Sequence, residues 1–282
     1  MKKVKLTVLV EDSLVAPKKA LGLEAKHGLS ILVERTKPKF SILMDTGQSP
    51  DILLRNMEIL GVSLEKLDAI FLSHGHYDHT GGLLGVLKRT DRNIPVITHP
   101  EVFNPKFKVA PILKYIGSPF KPSELESYKG IVLAKNSLLV AEGVVSTGEI
   151  ERVTTYEKPQ GFWTVENGRF VEDAMRDEQA LILVLEDKGL LVISGCAHAG
   201  IINTIKHAQK LTGVKNVHAV IGGFHLKDSK EETIEPTIND LTEINPEFIC
   251  PCHCTGAKPT RRLAEVFNKR CRPIKTGDTF KI

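Results

Sequence analysis

The chain has 282 residues, of which 41% are hydrophobic, with 22 Gly and 15 Pro, the composition of an ordinary globular protein with enough apolar material for one large α/β domain. Its 38 basic and 34 acidic residues leave a net charge of +4 spread along the chain, without the basic tract or arm that gripping nucleic acid requires, so no nucleic-acid partner is expected. The apolar stretch after Met1-Lys2-Lys3 is interrupted by Lys5 and Thr7 and closed by Glu11-Asp12, and no run reaches the roughly 18 apolar residues of a membrane span, so a cytoplasmic protein with no membrane partner is expected.

Short Val- and Ile-rich runs alternate with amphipathic segments of helical period. Strands are predicted over 4–10, 29–34, 40–45, 68–73, 94–98, 144–147, 180–186, 190–195, 217–222, 247–250 and 278–281. Helices are predicted over 50–60, 81–89, 123–128, 200–211, 230–243 and 258–269. Ile201, Ile202, Ile205, Ala208 and Leu211 share one face of the helix at 200–211, which should therefore lie on a sheet. Ser123 with Glu126, and Ser229 with Glu232, have the spacing of capping boxes. No linker divides the chain, so residues 1–282 read as one domain. Within it, the proline-rich region 100–179 reads as an irregular excursion whose aromatics, Phe103, Phe107, Tyr115, Phe120, Tyr156, Phe162 and Trp163, either cover a pocket or pack on themselves.

Between the apolar run Ala69-Ile70-Phe71-Leu72 and the helix start at Thr80-Gly81-Gly82 stands His74-Gly75-His76-Tyr77-Asp78-His79. Three imidazoles and a carboxylate presented by one strand end suit zinc, manganese or iron. Other predicted strands end alike: Asp45 follows 40–44, His99 follows 94–98, His198 follows 190–195, His225 follows 217–222 and His253 follows 247–250. Ligands of α/β sheets gather at such carboxyl ends. One or two divalent ions are therefore expected there, Zn2+ first and Mn2+ or Fe2+ as alternatives. His27, His207 and His218 read as surface or capping residues, and His99 is placed at the rim. The five cysteines are odd in number and bunched late, unlike a disulfide framework; Cys250-Pro251-Cys252-His253-Cys254 lacks the Cys-x-x-Cys spacing of a structural zinc knot and reads as thiols around a functional histidine.

The pattern His-x-His-x-Asp-His after a hydrophobic strand resembles the signature of the metallo-β-lactamase superfamily. With Asp45-Thr46-Gly47, Ser194-Gly195-Cys196-Ala197-His198-Ala199-Gly200, Gly222-Gly223-Phe224-His225-Leu226 and Pro251-Cys252-His253-Cys254-Thr255-Gly256, the chain from about Gly28 onward is similar to the branch named for 7,8-dihydropterin-6-ylmethyl-4-(β-D-ribofuranosyl)aminobenzene 5′-phosphate synthase. The resemblance implies an α/β fold, a four-layer αββα sandwich of two mixed sheets with helices outside. It implies that His74 and His76 bind one metal, that Asp78 and His79 bind a second completed by His253, and that Asp45 orients a ligand imidazole from behind. It also implies a catalytic Asp78 that orients the attacking water. The superfamily usually adds a third His to the first site and then a bridging Asp; here those places read Arg176-Asp177-Glu178-Gln179 and Gly195-Cys196-Ala197-His198. His198 is expected to replace the missing ligand, with Glu178 in reserve or against substrate, and Cys196 behind the ligands.

The chemistry implied is metal-dependent hydrolysis of a phosphoester, ester or lactone of a small anionic metabolite. The branch resemblance implies an alternative, transfer, in which a phosphorylated ribofuranosyl aromatic attacks a pterin-methyl diphosphate and pyrophosphate leaves. A redox or metal-binding protein is a lesser alternative, because di-iron redox relatives carry Glu where His76 stands. His225 is expected to contact substrate or to act as a general acid. The helix start after His253 offers an anion site for a phosphorylated substrate, built from the N–H groups of Thr255 and Gly256 with Lys258, while Arg261 and Arg262 lie on the solvated face.

Overall fold

The structure is a computed structural model that describes residues 4–159 and 161–282. In chain order it runs β1 (Val4–Val10), α1 (Ala16–Ala20), β2 (Ser30–Thr36), β3 (Lys39–Met44), α2 (Pro50–Ile59), β4 (Ala69–Phe71), α3 (Tyr77–Thr80), α4 (Leu83–Lys88) and β5 (Val96–Thr98). There follow β6 (Lys106–Lys108), β7 (Lys114–Tyr115), β8 (Ile131–Leu133), β9 (Leu138–Ala141), β10 (Val144–Ser146), β11 (Phe162–Glu166) and β12 (Arg169–Glu172). The chain closes with β13 (Ala180–Leu185), β14 (Gly189–Ser194), α5 (Ile201–Thr212), β15 (Val217–Gly223), α6 (Glu231–Ile244), β16 (Phe248–Cys252), α7 (Ala257–Phe267) and β17 (Thr279–Lys281).

Two mixed sheets face each other, one in the order β17-β1-β2-β3-β4-β5-β8 and the other β16-β15-β14-β13-β10-β9. Side chains alternate between faces along each strand. Ile42 and Met44 of β3 therefore join Leu181, Leu183, Leu191 and Ile193 of the other sheet in the central core, while Leu43 between them packs outward with Leu53, Met57, Leu83 and Val86 of α2 and α4. On the opposite side Ile201, Ile202, Ile205 and Ala208 of α5, with Ile234, Ile238, Leu263 and Phe267 of α6 and α7, cover Ile182, Val192, Val220 and Ile249. The result is helix, sheet, sheet, helix, the expected αββα arrangement. In the first sheet β3, β4 and β5 are parallel, and in the second β14, β15 and β16 are, so the loops leaving these carboxyl ends meet at one edge.

The two capping boxes predicted from spacing do not form. Ser229 Oγ instead donates to His225 O (3.3 Å), and α6 begins after Lys230 without a side-chain cap. The predicted helix at 123–128 is a single turn over Pro122–Leu125, where the Glu124 carboxylate accepts from Lys121 N (2.8 Å). Region 100–179 holds more sheet than expected. β8 extends the first sheet, β9 and β10 extend the second, and β12-β11-β6-β7 form a third. Backbone hydrogen bonding from Tyr77 N to Ile116 O (2.9 Å) and a bridge between His76 and Gly117 tie this third sheet to the histidine motif. Its aromatics divide: Phe162 turns toward the motif, while Trp163 stacks on Phe170 and Phe107 lies edge-on to Tyr115. Among the described residues no helix is long and apolar enough to cross a membrane.

Candidate metal centre

The turn between β4 and α3 is shaped for close approach. A Cβ on Gly75 would lie 2.2 Å from Val102 O, and one on Gly195 would lie 2.1 Å from Ser73 Oγ, so both positions admit only glycine without backbone movement. Gly75 N donates to Asp177 Oδ2 (2.7 Å), and Asp177 is itself held by the buried Lys106, whose Nζ lies 2.8 Å from Asp177 and from Asp173. The segment where the superfamily would place a third histidine thus serves to brace the first two.

Three imidazoles converge from this turn and from the loop after β14. His76 Nδ1 lies 3.0 Å from His74 Nε2 and 3.2 Å from His198 Nε2. Nitrogens held about 2.0–2.1 Å from one tetrahedral zinc would be about 3.3 Å apart, so the spacing fits a shared ion. The tautomers fit as well. Ser73 Oγ donates to Asp45 Oδ2 (2.7 Å), so its contact with His74 Nδ1 (2.9 Å) leaves the ring N–H there and a bare lone pair on Nε2. Burial first, and then neighbouring imidazoles or Lys106, hold His74, His76 and His198 well below the ordinary histidine range, hence neutral as ligation requires. No hydrogen bond serves all three inward-facing nitrogens, whereas a cation would.

A second donor set comprises Asp78, His79 and His253. Asp78 Oδ2 lies 3.3 Å from His253 Nε2 and 3.9 Å from His79 Nε2. Asp45, in the left-handed region at φ 59°, accepts from His79 Nδ1 (2.6 Å) and from Ser73 N (2.7 Å), the orienting position expected for it. Two unexpected residues, Asp12 from the loop after β1 and His27 from the loop between α1 and β2, complete the surroundings. Asp12 Oδ1 lies 2.7 Å from His253 Nδ1, and Asp12 Oδ2 lies 3.0 Å from His27 Nδ1, while His27 Nε2 reaches Asp78 Oδ2 at 3.1 Å. His27, taken from sequence as a surface or capping residue, therefore belongs to the site. Its hydrogen bonds to Asp12 and then Asp78 raise its pKa to about 9. Burial would push His253 down, but bonds to the same two carboxylates hold it well above its ordinary range. Burial would likewise raise Asp78, but His79, His253 and His27 keep it ionised.

Cys196 stands closer than expected. Its Sγ is 3.1 Å from His79 Nε2 and groups with His74 as well, so it is a candidate donor between the two sets and not a residue behind them. Cys196, His225 and Cys254 form a further donor group. Between the two thiols the negative charge settles on Cys254, which has His225 and His253 beside it, while burial keeps Cys196 protonated. His225, at φ 48°, lies with its ring 4.2 Å from that of His198, and its Nδ1 has no hydrogen-bond partner.

His76, Asp78, His198, His225 and His253 line a cavity of about 670 Å³, whose wall does not include His74 or His79. Glu178, the reserve ligand, does not reach it: its Oε2 accepts from Ala199 N (2.6 Å), and burial raises its pKa to about 8. The anion site predicted at the start of α7 also lies off the cavity. Lys258 is exposed and paired with Glu231, Thr255 Oγ1 accepts from Phe224 N (3.0 Å), and Gly256 packs against Lys227. His99 is buried, not at the rim, and accepts from Glu101 N through Nδ1 (3.1 Å). The positive charge that does line the cavity comes from Lys108, Lys114, Lys158, Lys227 and Lys230, scattered residues with no local signature in the sequence.

A profile of the metallo-beta-lactamase superfamily matches residues 24–169. The chain is 38% identical over 266 residues to the 7,8-dihydropterin-6-methyl-4-(beta-D-ribofuranosyl)-aminobenzene-5′-phosphate synthase of Methanocaldococcus jannaschii, covering 91% of this chain and 90% of that protein. It is 33% identical to an uncharacterized protein of the same organism, over 86% of this chain and 90% of that one. The crystal structure of a metal-dependent hydrolase of the beta-lactamase superfamily superposes with a TM-score of 0.84 at 28% identity, covering 99% of both chains. With the αββα layers and the histidine cluster at the sheet edge, these matches make the chain an enzyme of the metallo-β-lactamase superfamily.

Proposed function

We propose that this enzyme joins a ribofuranosylaminobenzene 5′-phosphate to a dihydropterin-methyl diphosphate with release of pyrophosphate. The observation that carries this reading is 38% identity, sustained over nine-tenths of both chains, to a synthase bearing that product's name. In the reaction a bond forms from the aniline nitrogen to the pterin methylene as the bond from methylene carbon to diphosphate oxygen breaks. One proton must leave the nitrogen. Divalent ions held by His74, His76 and His198, and by Asp78, His79 and His253, would supply positive charge against the departing diphosphate. A sulfur donor at Cys196, which would give up its proton on binding a metal, beside six harder donors favours zinc or iron over magnesium.

The chain's own groups have separable tasks. Asp45 and Ser73 fix the ring orientations, Asp12 holds His27 and His253 at the cavity wall, and His225 Nδ1 is free to accept the aniline proton. Phe162, 4.8 Å from the His198 ring, offers an apolar surface for an aromatic substrate. Metal-loaded protein given both substrates should release pyrophosphate only when the aminobenzene acceptor is present.

A second reading, hydrolysis of a phosphoester, ester or lactone, draws on the 0.84 TM-score and 28% identity to a metal-dependent hydrolase. Under that reading pyrophosphate or phosphate would appear equally fast without acceptor, and coupled product would be absent. The same assay therefore separates the two.

A further inference from the structure

We propose that Lys108 and Lys114 clamp a phosphate monoester of the substrate at a set distance from the metal donors. Sheet register brings them together: Phe162 of β11 pairs with Lys108 of β6, and Lys108 pairs with Lys114 of β7. Directly paired residues point to the same face of a sheet, and all three side chains line the cavity. At one end of this row the Phe162 ring centroid lies 5.2 Å from that of His76 and 4.8 Å from that of His198. With neighbouring strands about 4.8 Å apart, the Lys108 and Lys114 backbones stand about 5 Å and about 10 Å from that of Phe162 across the sheet.

The pair is unfavourable as it stands. Like charges directly opposite destabilise an antiparallel pair, and among the described residues no carboxylate forms an ion pair with either lysine. Lys106, two residues along β6, receives two buried carboxylates, so the strand does not simply lack acids nearby. Lys108 and Lys114 instead rest over rings, Lys108 Nζ 5.8 Å from Phe162 and Lys114 Nζ 5.7 Å from Tyr77. The other acids that line the cavity belong elsewhere: Asp12 and Asp78 hold His27 and His253, Glu157 accepts from the first amides of α5, Asp228 precedes α6 and Glu232 lies in its first turn. A dianionic phosphate between the two ammonium groups would relieve the repulsion, with an aromatic ring resting on Phe162 and Ile116 between clamp and metals. Naming that ligand as the 5′-phosphate of the acceptor rests on the transferase reading, in which the diphosphate belongs at the metal donors.

The test is calorimetric titration of metal-loaded wild type and of the Lys108→Met/Lys114→Met double variant with ribofuranosylaminobenzene 5′-phosphate and with its dephosphorylated riboside. Methionine keeps the aliphatic contact and removes the charge, so circular dichroism and metal content should be unchanged. Wild type should bind the phosphorylated form at least about tenfold more tightly, equivalent to about 1.4 kcal/mol. In the double variant that ratio should fall to near one with riboside affinity unchanged, and Lys108→Arg with Lys114 intact should keep it. A ratio that survives both substitutions, equal binding of the two ligands by wild type, or binding of neither would overturn the clamp. An intact, lysine-dependent ratio without pyrophosphate release would leave the clamp standing and remove the transferase.

Discussion

His76 Nδ1 sits between two other imidazole nitrogens, at 3.0 Å from His74 and 3.2 Å from His198, a spacing that one common cation would satisfy. His198→Ala should therefore empty the first donor set as thoroughly as His74→Ala, seen as loss of bound metal by elemental analysis; full stoichiometry in His198→Ala would remove it from the ligand set. Glu178 supports the same loop differently. Burial raises its carboxyl to about 8 in the folded protein against an ordinary 4.5. A raised acid binds its proton more tightly when folded, so its contribution to stability is complete below about pH 4.5 and is lost as pH rises through about 8. Glu178→Gln, which keeps an acceptor for Ala199 N, should leave the melting temperature unchanged near pH 5 and raise it by several degrees near pH 9. Parallel wild-type and variant curves across that range would show that the carboxyl is ionised when folded.

At the scale of elements, what could be read in advance was whatever is encoded within a short stretch of chain. Strand ends that carry His or Asp are local, so Asp45, His74 to His79, His198, His225 and His253 were all legible, as was the helical face of α5. Asp12 lies far from its partner in sequence: the hydrogen bond it accepts from His253 spans 241 residues, and nothing near Asp12, or near the His27 it also holds, announces it. The third sheet was missed for a related reason, since strands of two to five residues interrupted by proline leave no period to detect. Lys258 misled because proximity to His253 along the chain is not proximity in space; its side chain points to Glu231. The packing of the turn before β6 on the motif can be tested at Gly75, where an added Cβ would strike Val102 O at 2.2 Å. Gly75→Ala should cost about 1–3 kcal/mol by forcing the backbone apart. Because Gly75 stands between His74 and His76 of the first donor set, metal affinity should fall with it. Unchanged stability together with unchanged metal content would mean that the turn is softer than its contacts imply.

For the molecule as a whole, the question is how far the fold depends on the ions. Apolar layers on both sides of each sheet close without any contribution from the histidines, and the central core draws on strands of both sheets. Without metal the second donor set already has a charge balance, Asp78 lying between His27 and His253 at 3.1 and 3.3 Å. The first set has only neutral, desolvated imidazoles to leave behind, a local cost confined to one sheet edge. A chain of this size should therefore differ from a zinc finger, whose folding energy is its metal-binding energy. Exhaustive chelation should abolish turnover while preserving the far-ultraviolet circular dichroism, and should lower the melting temperature only by the binding linkage, about 4 kcal/mol if free metal had stood near a thousand times its dissociation constant. Full activity in metal-free protein would end the metalloenzyme assignment. Collapse of the dichroism on chelation would show instead that the ions hold the two sheets together, and that the edge where the six strand ends meet is part of the core's support as well as its opening.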